Sequence, residues 1–539
     1  MRRLYYLGIF ILTWLPNYAQ IKFTLNQRQV PLPKELSFLA EQKGQSYSSQ
    51  QWQLLRQQWQ QNAIEAGYFL FDLQEVELTD SLITFEVNPG PFFEGIFWKD
   101  SLSENKFISP SQLKRIVQDS LSWYLNNGYP FAKIQLSYHS GLKPTLKLNV
   151  ESGPFVTWGQ FVVKPDGIIQ QRALQQMIPL KEGAPFSLAA LSEIQDAFFG
   201  QMPFKMLRQP EWEYQDNKAD VYFYLERVRT SSATGIVGLQ PNPLTQKTAL
   251  VGELNIQLQN NWQKNEKLQL HWRSIAPQTQ QLKTYLQWPY IAGSPYGLNT
   301  GLTIYKRDSA FLELRTNFGL CYQFTGGWQL SAQLDYWRSN AIKDLPGSDV
   351  ANFRTTTYGL ALQRQKLDRI QNPRKGMLFQ SSYLVGNKQA AEKALTWRIS
   401  VLQRYFLPLF KRQVLCLNQQ LDHIAAPILY RNELYRFGGL ERMRGFDEEA
   451  FFASTVLLTG LEYRFLLDDN SYALAFSDWA WSANQVQPTQ KQQLYAIGVG
   501  LVLGTQNGQF KLNYALGATV GEGLKLNAGK IHLGYISYF

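Results

Sequence analysis

Only two cysteines and four histidines occur in 539 residues. Cys321 and Cys416 stand far apart, so no disulfide framework is implied and two free, buried thiols are expected. His139, His271, His423 and His532 are scattered, and none has metal-ligand spacing to a cysteine or carboxylate. His139 precedes Ser140 and Asp422 precedes His423, but neighbours on a strand face opposite sides, which is no geometry for a nucleophile and its base. Phosphate-cradling glycine loops are lacking too. The expectation is a protein without enzymatic activity and without a cofactor. Charge is also sparse: 18% of residues are charged, and the net +11 is spread along the chain without a Lys/Arg tract. That argues against nucleic acid as a partner and allows, at most, attraction to anionic lipid head groups. Beyond the N-terminus no run of about 18 apolar residues could form a membrane-spanning helix. Against these gaps stand 45% hydrophobic and 14% aromatic residues. A transmembrane β-barrel hides such apolarity in alternation, and a large soluble β-protein would fit almost as well. The length calls for several domains.

The first residues set the compartment. Arg2-Arg3 begins a basic start, Leu4 to Leu15 is apolar apart from Gly8 and Thr13, and Asn17-Tyr18-Ala19 offers a small residue before Gln20. Residues 1–19 therefore read as a secretory signal peptide cleaved after Ala19. No cysteine lies near that site, so a lipid anchor is not expected.

An internal repeat follows. Residues 48–66 carry Trp52, Leu55, Trp59 and Ala63 on one helical face, and Gly67-Tyr68 stops the helix. Alternating strands come near 68–78 and 81–88, and Asn88-Pro89-Gly90-Pro91 closes the unit. The pattern recurs with Leu113, Ile116, Val117, Ser120, Leu121 and Tyr124, the stop Gly128-Tyr129-Pro130, strands near 131–139 and 144–150, and Ser152-Gly153-Pro154. A looser copy has Leu188, Leu191, Ile194 and Phe198 on its helix, Gly200 as its stop, and Val221 to Leu225 as its last strand. Each unit reads as a strand, two helices and two strands. The glutamines around Gln50, Gln57 and Gln61 read as a solvated helix surface. These units resemble POTRA domains, with expected bounds 20–91, 92–155 and 156–230. An exposed sheet edge in such a module can accept an extended client as an added strand, through main-chain hydrogen bonds.

From 231 to 539, alternating segments separated by turn residues lie near 232–240, 248–258, 266–275, 281–291, 295–308, 311–324, 328–340 and 351–365. They continue near 376–387, 392–408, 413–424, 454–468, 471–483, 492–505, 508–520 and 530–539. Sixteen is an even number, as a closed single-chain barrel requires. Turns after even strands are tight, while the longest connection, 425–453, follows the eleventh strand. In the last strand Ile531, Leu533, Tyr535 and terminal Phe539 alternate with His532, Gly534, Ile536 and Tyr538. Tyr535 and Phe539 fit the aromatic ending with which outer-membrane barrels present their final strand.

The long connection holds Met443-Arg444-Gly445-Phe446, a motif that alone would suit an ordinary surface loop. With three repeats before sixteen strands, the chain resembles the BamA/TamA family of outer-membrane assembly proteins, whose barrel carries [VI]-R-G-[FY] in this interval. Met443 replaces the β-branched residue. The resemblance implies that the loop folds into the lumen and that Arg444 pairs with carboxylates on the next two strands. These are Glu462 in Gly460-Leu461-Glu462-Tyr463 and Asp478 in Phe476-Ser477-Asp478-Trp479; Ala480 stands where the family commonly has glycine. Leu367 to Gly376 also looks like the family's turn before strand nine. The implied fold is periplasmic α+β repeats followed by a 16-stranded antiparallel outer-membrane barrel of the bacterial surface antigen type. The implied function is insertion of unfolded outer-membrane clients through a seam between first and last strands. Outer-membrane lipids and accessory lipoproteins or a periplasmic partner would be its other contacts. Export of a soluble protein by the same fold, or a passive pore, are the alternatives.

Overall fold

The computed structural model describes residues 21–26, 33–37, 46–47, 49–79, 82–100, 103–139, 145–178, 180–197, 203–241, 248–276, 279–308, 310–324, 326–342, 349–487 and 491–539. The expected signal peptide and the positions Phe198 and Gly200 lie outside them. The chain forms two compact units, one of residues 1–157 and 185–188, the other of 158–184 and 189–539.

The first unit holds two small sheets of like topology. In one, β1 (Ile21–Asn26), β2 (Ser46–Tyr47), β3 (Asp72–Thr79) and β4 (Leu82–Asn88) take the order β2-β1-β4-β3, with helix α1 (Ser49–Glu65) before β3. In the other, β5 (Ile96–Asp100), β6 (Ser103–Ile108), β7 (Lys133–His139) and β8 (Thr145–Glu151) take the order β6-β5-β8-β7, with α2 (Pro110–Asn126) before β7. Each has one parallel pair at its centre, β1–β4 and β5–β8. Both helices stop the same way. Gly67 and Gly128 take φ of 96° and 97°, and the next amides, Tyr68 and Tyr129, reach back to the carbonyls of Ala63 and Tyr124 at 2.8 and 3.0 Å. Among the described residues two strands and one α-helix open each sheet, with a short 3-10 turn at Lys34–Leu36 in the first, where the sequence pattern reads one strand and two helices. The extra strand is short or polar (Ser-Tyr in β2, Ser-Glu-Asn-Lys-Phe-Ile in β6), so alternation does not reveal it.

In the second unit, β9 (Thr157–Lys164), α3 (Gln171–Met177), α4 (Leu188–Ala197), β10 (Phe204–Met206), β11 (Glu211–Gln215) and β12 (Lys218–Arg227) come first. The strand β12 is central and pairs with β9, β10 and β11. Its inward residues Val221, Phe223 and Leu225 are fully buried.

The barrel begins with β13 (Ser232–Pro241), β14 (Thr248–Gln259), β15 (Lys267–Ala276), β16 (Thr279–Trp288), β17 (Tyr296–Arg307) and β18 (Phe311–Gln323). It continues with β19 (Trp328–Ala341), β20 (Phe353–Leu367), β21 (Gly376–Gln389), β22 (Lys393–Phe410) and β23 (Gln413–Ala425). A small hairpin, β24 (Tyr435–Phe437) and β25 (Phe451–Ala453), interrupts the order. Then come β26 (Thr455–Leu466), β27 (Tyr472–Ala483), β28 (Lys491–Thr505), β29 (Gly508–Thr519) and β30 (Lys530–Tyr538). Sixteen antiparallel strands close into a barrel, β13 meeting β30. Strand bounds agree with the sequence pattern to within three residues, the widest gap being the end of β16. There Pro289 lacks an N–H for the ladder and Tyr290 takes φ 55°, so the strand stops at Trp288.

Alternation on β18 shows which face meets which solvent. Leu312, Leu314, Phe318 and Leu320 are exposed on the outside, whereas Glu313 and Cys321 are buried within. An apolar exterior around a polar interior is the arrangement of a barrel set in lipid. The thiols of Cys321 and Cys416 are free and buried. The third small sheet sits at the rim formed by the even-to-odd turns. Asn260 Nδ2 donates to the Ile168 carbonyl at 2.9 Å, and the Gln170 amide donates to the Gln263 carbonyl at 2.8 Å.

Phe318 lies near the middle of β18 and faces outward. Phe318→Arg should cost about 2–4 kcal/mol, measured as urea unfolding from lipid vesicles, because the guanidinium would face hydrocarbon. An arginine at inward-facing Gln333 should cost far less; equal costs would mean that the outer face is not lipid-facing.

Candidate functional site in the barrel lumen

A guanidinium removed from bulk water must be paired and hydrogen-bonded, or it costs several kcal/mol. The connection between β23 and β26 carries three arginines past Tyr435 into such a setting, Arg436, Arg442 and Arg444, and the strand that follows adds Arg464. The connection is more ordered than a plain loop. Its hairpin pairs Tyr435 with Ala453, Arg436 with Phe452 and Phe437 with Phe451. Beyond the hairpin, Gly438, Gly439 and Gly445 take φ of 117°, 92° and 84°, a region that L side chains rarely enter. At Gly445 a Cβ would also lie 2.7 Å from the Gly517 amide nitrogen of β29, so the tip needs glycine for space as well as for conformation.

Arg444 is held on three sides. Its Nε and Nη2 donate to the two oxygens of Asp478 at 2.7 and 2.6 Å, a bidentate fork. Its Nη1 donates to Glu462 Oε1 at 2.8 Å. The guanidinium carbon lies 3.5 Å from the ring centroid of Phe476, which adds a cation–π contact. Glu462 in turn accepts from Arg464 Nε and Nη2 at 3.0 and 2.7 Å. The structure thus brings Arg444, Glu462 and Asp478 together, across β26 and β27. Met443 is fully buried in a cluster with Phe437, Val456, Leu458, Ala480 and Leu494, against which Phe446 packs. An alanine at position 480 fills part of that cluster, where glycine would leave a gap.

Other pins of the loop carried no sequence signal. Arg436 pairs with Glu313 of β18 and lies over the Tyr305 ring at 3.9 Å. Arg442 pairs with Asp422 of β23. Glu433 takes Lys388 of β21 at 2.5 Å, with both side chains buried. Asp447 meets Lys530 of β30 at 2.7 Å. Glu449 binds Arg273 of β15 and accepts from the Tyr305 hydroxyl at 2.7 Å. The loop is therefore fastened on both flanks of the β13–β30 closure. Arg464 and Phe476 could have been found from sequence, since each stands two residues from a named carboxylate on the same strand face. The cross-lumen pairs could not, because they join strands whose register only the closed barrel defines.

Tyr535 and Phe539 lie apart from this cluster. The Tyr535 ring lies 4.5 Å from that of Phe510. The Phe539 amide donates to the Ser231 carbonyl at 2.9 Å, and its ring is exposed.

Residues 244–533, more than half of the chain, match the Omp85 superfamily domain. No curated protein matches the sequence. Among solved structures the chain is similar to CdiB from Escherichia coli, at 15% identity over 95% of this chain and 100% of that one, with TM-score 0.54. CdiB from Acinetobacter baumannii has 16% identity over 81% of this chain and 83% of that one, with TM-score 0.53. BamA from Haemophilus ducreyi, lacking POTRA domains 1–3, has 12% identity over 82% and 99%, with TM-score 0.46. At such identities the likeness is one of fold.

Removing either end of the Arg444–Asp478 fork strips the other buried charge of its bidentate partner, leaving Arg444 with Glu462 only or Asp478 with no cation of the fork. Arg444→Ala and Asp478→Ala should each destabilise the barrel by about 3–5 kcal/mol. The double variant should lose clearly less than the sum, since neither charge is then stranded. Unfolding followed by tryptophan fluorescence and by the heat-dependent shift of the folded barrel on gels measures this; additive losses would mean that the pair is not coupled.

Proposed function

The chain belongs to the Omp85 superfamily, and from that premise we propose that this outer-membrane β-barrel inserts or assembles other barrel proteins. The observation that carries the reading is the seam. β13 and β30 share only the register pairs Ser232↔Tyr538 and Ala233↔Ser537, whereas β13 and β14 share ten. Beyond Ala233, β13 has a ladder on one side only. An unpaired edge in a membrane is costly, and an extended client strand would satisfy it. Behind the seam lies a cavity of about 650 Å³ bordered by Thr234, Gly235, Leu533 and Gly534, with Arg444, Glu462 and Asp478 also in its wall. The luminal loop, fastened on both flanks, keeps the barrel shaped while the strand pairing there is weak.

In this reading the three α+β segments before the barrel are POTRA repeats on the periplasmic side, bounded near 20–91, 92–155 and 156–230. They hand over unfolded clients by strand addition. Met443, Arg444, Gly445 and Phe446 form a structural latch with Glu462 and Asp478, and Tyr535 and Phe539 belong to the strand that the chain itself presents for assembly. The work is exchange of hydrogen bonds between strands and needs neither a cofactor nor enzyme chemistry.

A second reading is export of a soluble partner through the lumen. A separate cavity of about 640 Å³ at the turn end of the barrel favours it. The pinned loop across the lumen weighs against it.

Depletion of the protein followed by outer-membrane proteomics separates the two. A broad loss of barrel proteins is expected; loss of one secreted protein alone would establish export, and an unchanged profile would sink both. Cysteines at the paired positions, Ser232→Cys with Tyr538→Cys, should block assembly when oxidised and restore it on reduction. Full activity of the oxidised form would mean that the seam does not open.

A further inference from the structure

The two ends of the lumen differ in chemistry. Around the loop the wall is ionic, with Arg273, Glu313, Arg398, Glu433 and Glu449. The cavity of about 640 Å³ at the turn end is instead lined by fourteen Gln and Asn side chains against three charged ones, so its surface is polar but nearly neutral. Of those three, Asp422 is already paired with Arg442 of the loop and Arg364 lies 5.0 Å from the ring centroid of Trp328, which leaves Lys267 as the one further charge in the wall. We propose that this amide-lined cavity is a binding cradle for an extended, charge-poor polypeptide segment.

Some of the carboxamides are fixed in place. Gln329, 2% exposed, accepts N–H groups from Gln287, Gln323 and Gln363 at 2.8, 2.9 and 2.5 Å, and donates to Ser331 Oγ at 3.2 Å. Gln269 donates to Gln257 at 2.9 Å. Others are left with capacity. The carboxamides of Gln259, Gln333, Gln365 and Gln380 line the cavity and make no hydrogen bond among the described residues. A carboxamide carries the same donors and acceptor as a peptide group, so a wall of them can bond N–H and C=O of a chain running in either direction. An extended segment offers those groups outward at every residue, whereas a helix spends them internally. Charged segments would exchange water for neutral amides and lose solvation. An open porin-like lumen would also be polar. Here Asp422, which holds Arg442 of the loop, and Met177 of α3 both line the cavity, so its wall includes the pinned loop's partner and the segment proposed to deliver clients.

The inference rests on the client-handling reading, and its test is independent of depletion. The full chain in lipid nanodiscs is titrated against a fluorescein-labelled unfolded peptide of Gly, Ser, Thr and Asn, with anisotropy as the readout. Binding is expected to persist from low to high salt, since no ion pair is formed. The triple variant Gln333→Leu, Gln365→Leu, Gln380→Leu should bind about tenfold more weakly while keeping the wild-type heat-dependent gel shift, because these side chains support no internal bond. A second variant, Gln333→Glu with Gln380→Glu, should favour a Lys-rich peptide over the neutral one and make binding salt-sensitive. Undiminished binding by the triple variant would overturn the cradle while leaving the client-handling reading intact, because the peptide would then sit on the repeats. Displacement of the peptide by maltohexaose at lower concentration would reassign the cavity to carbohydrate. Cradle binding together with an unchanged outer-membrane proteome would leave the site standing and remove the assembly role.

Discussion

Backbone hydrogen bonding in hydrocarbon governs this molecule. With no water in the bilayer core, each strand amide and carbonyl needs a partner in the sheet, and closure is the one arrangement that removes the edges. The even count of strands follows, as does the apolar exterior on β18 and its neighbours. The same constraint makes the β13–β30 boundary the one place where the barrel departs from the rule, with two register pairs where adjacent strands share eight to fourteen elsewhere. A weak closure in that medium is unstable unless something else holds the wall in shape.

The luminal loop supplies that support by electrostatics. Its charges reach β15, β17, β18, β21, β23, β26, β27 and β30, so wall segments on both sides of the seam share one set of ion pairs. Each pair is weak evidence of net stability, since burial costs nearly what pairing returns. Their geometric effect is larger. A buried charge tolerates few positions, and several buried charges on one loop fix it in register with many strands at once. Gly445 against Gly517 and Met443 within its apolar cluster set the depth at which the tip comes to rest.

Much of this could be read from the chain. The sixteen strands were legible because lipid on one face and water on the other enforce strict alternation, and turn residues mark each reversal. Pro289 shows where that reading slips, since an apolar run continued past the residue that ends the ladder. The pairing of Arg444 with Glu462 and Asp478 was accessible because the loop directly precedes both strands and the motif resembles a known family. Arg436–Glu313 and Arg273–Glu449 were not, as their partners lie 123 and 176 positions apart and meet only once the barrel closes. The amide cavity leaves no signal in the sequence for a related reason. Its glutamines occupy alternate positions on many strands, and each looks like an ordinary polar lumen residue until they are seen to face one another.

The separation of charge within the lumen ties these parts together. Ion pairs are directional and hold their partners, which suits a loop that must stay put. Carboxamides are neutral, bond either as donor or acceptor, and let go at little cost, which suits a surface that meets a succession of different chains. Had the two chemistries been mixed, a passing polypeptide would compete for the carboxylates that hold Arg442 and Arg444, and the wall beside the seam would loosen whenever the cavity filled. Under the proposed function, keeping the charges at one end and the amides at the other would let the barrel hold a client while its own framework stays closed, with Asp422, whose Oδ2 accepts from both Arg442 and Gln420, marking the border between them.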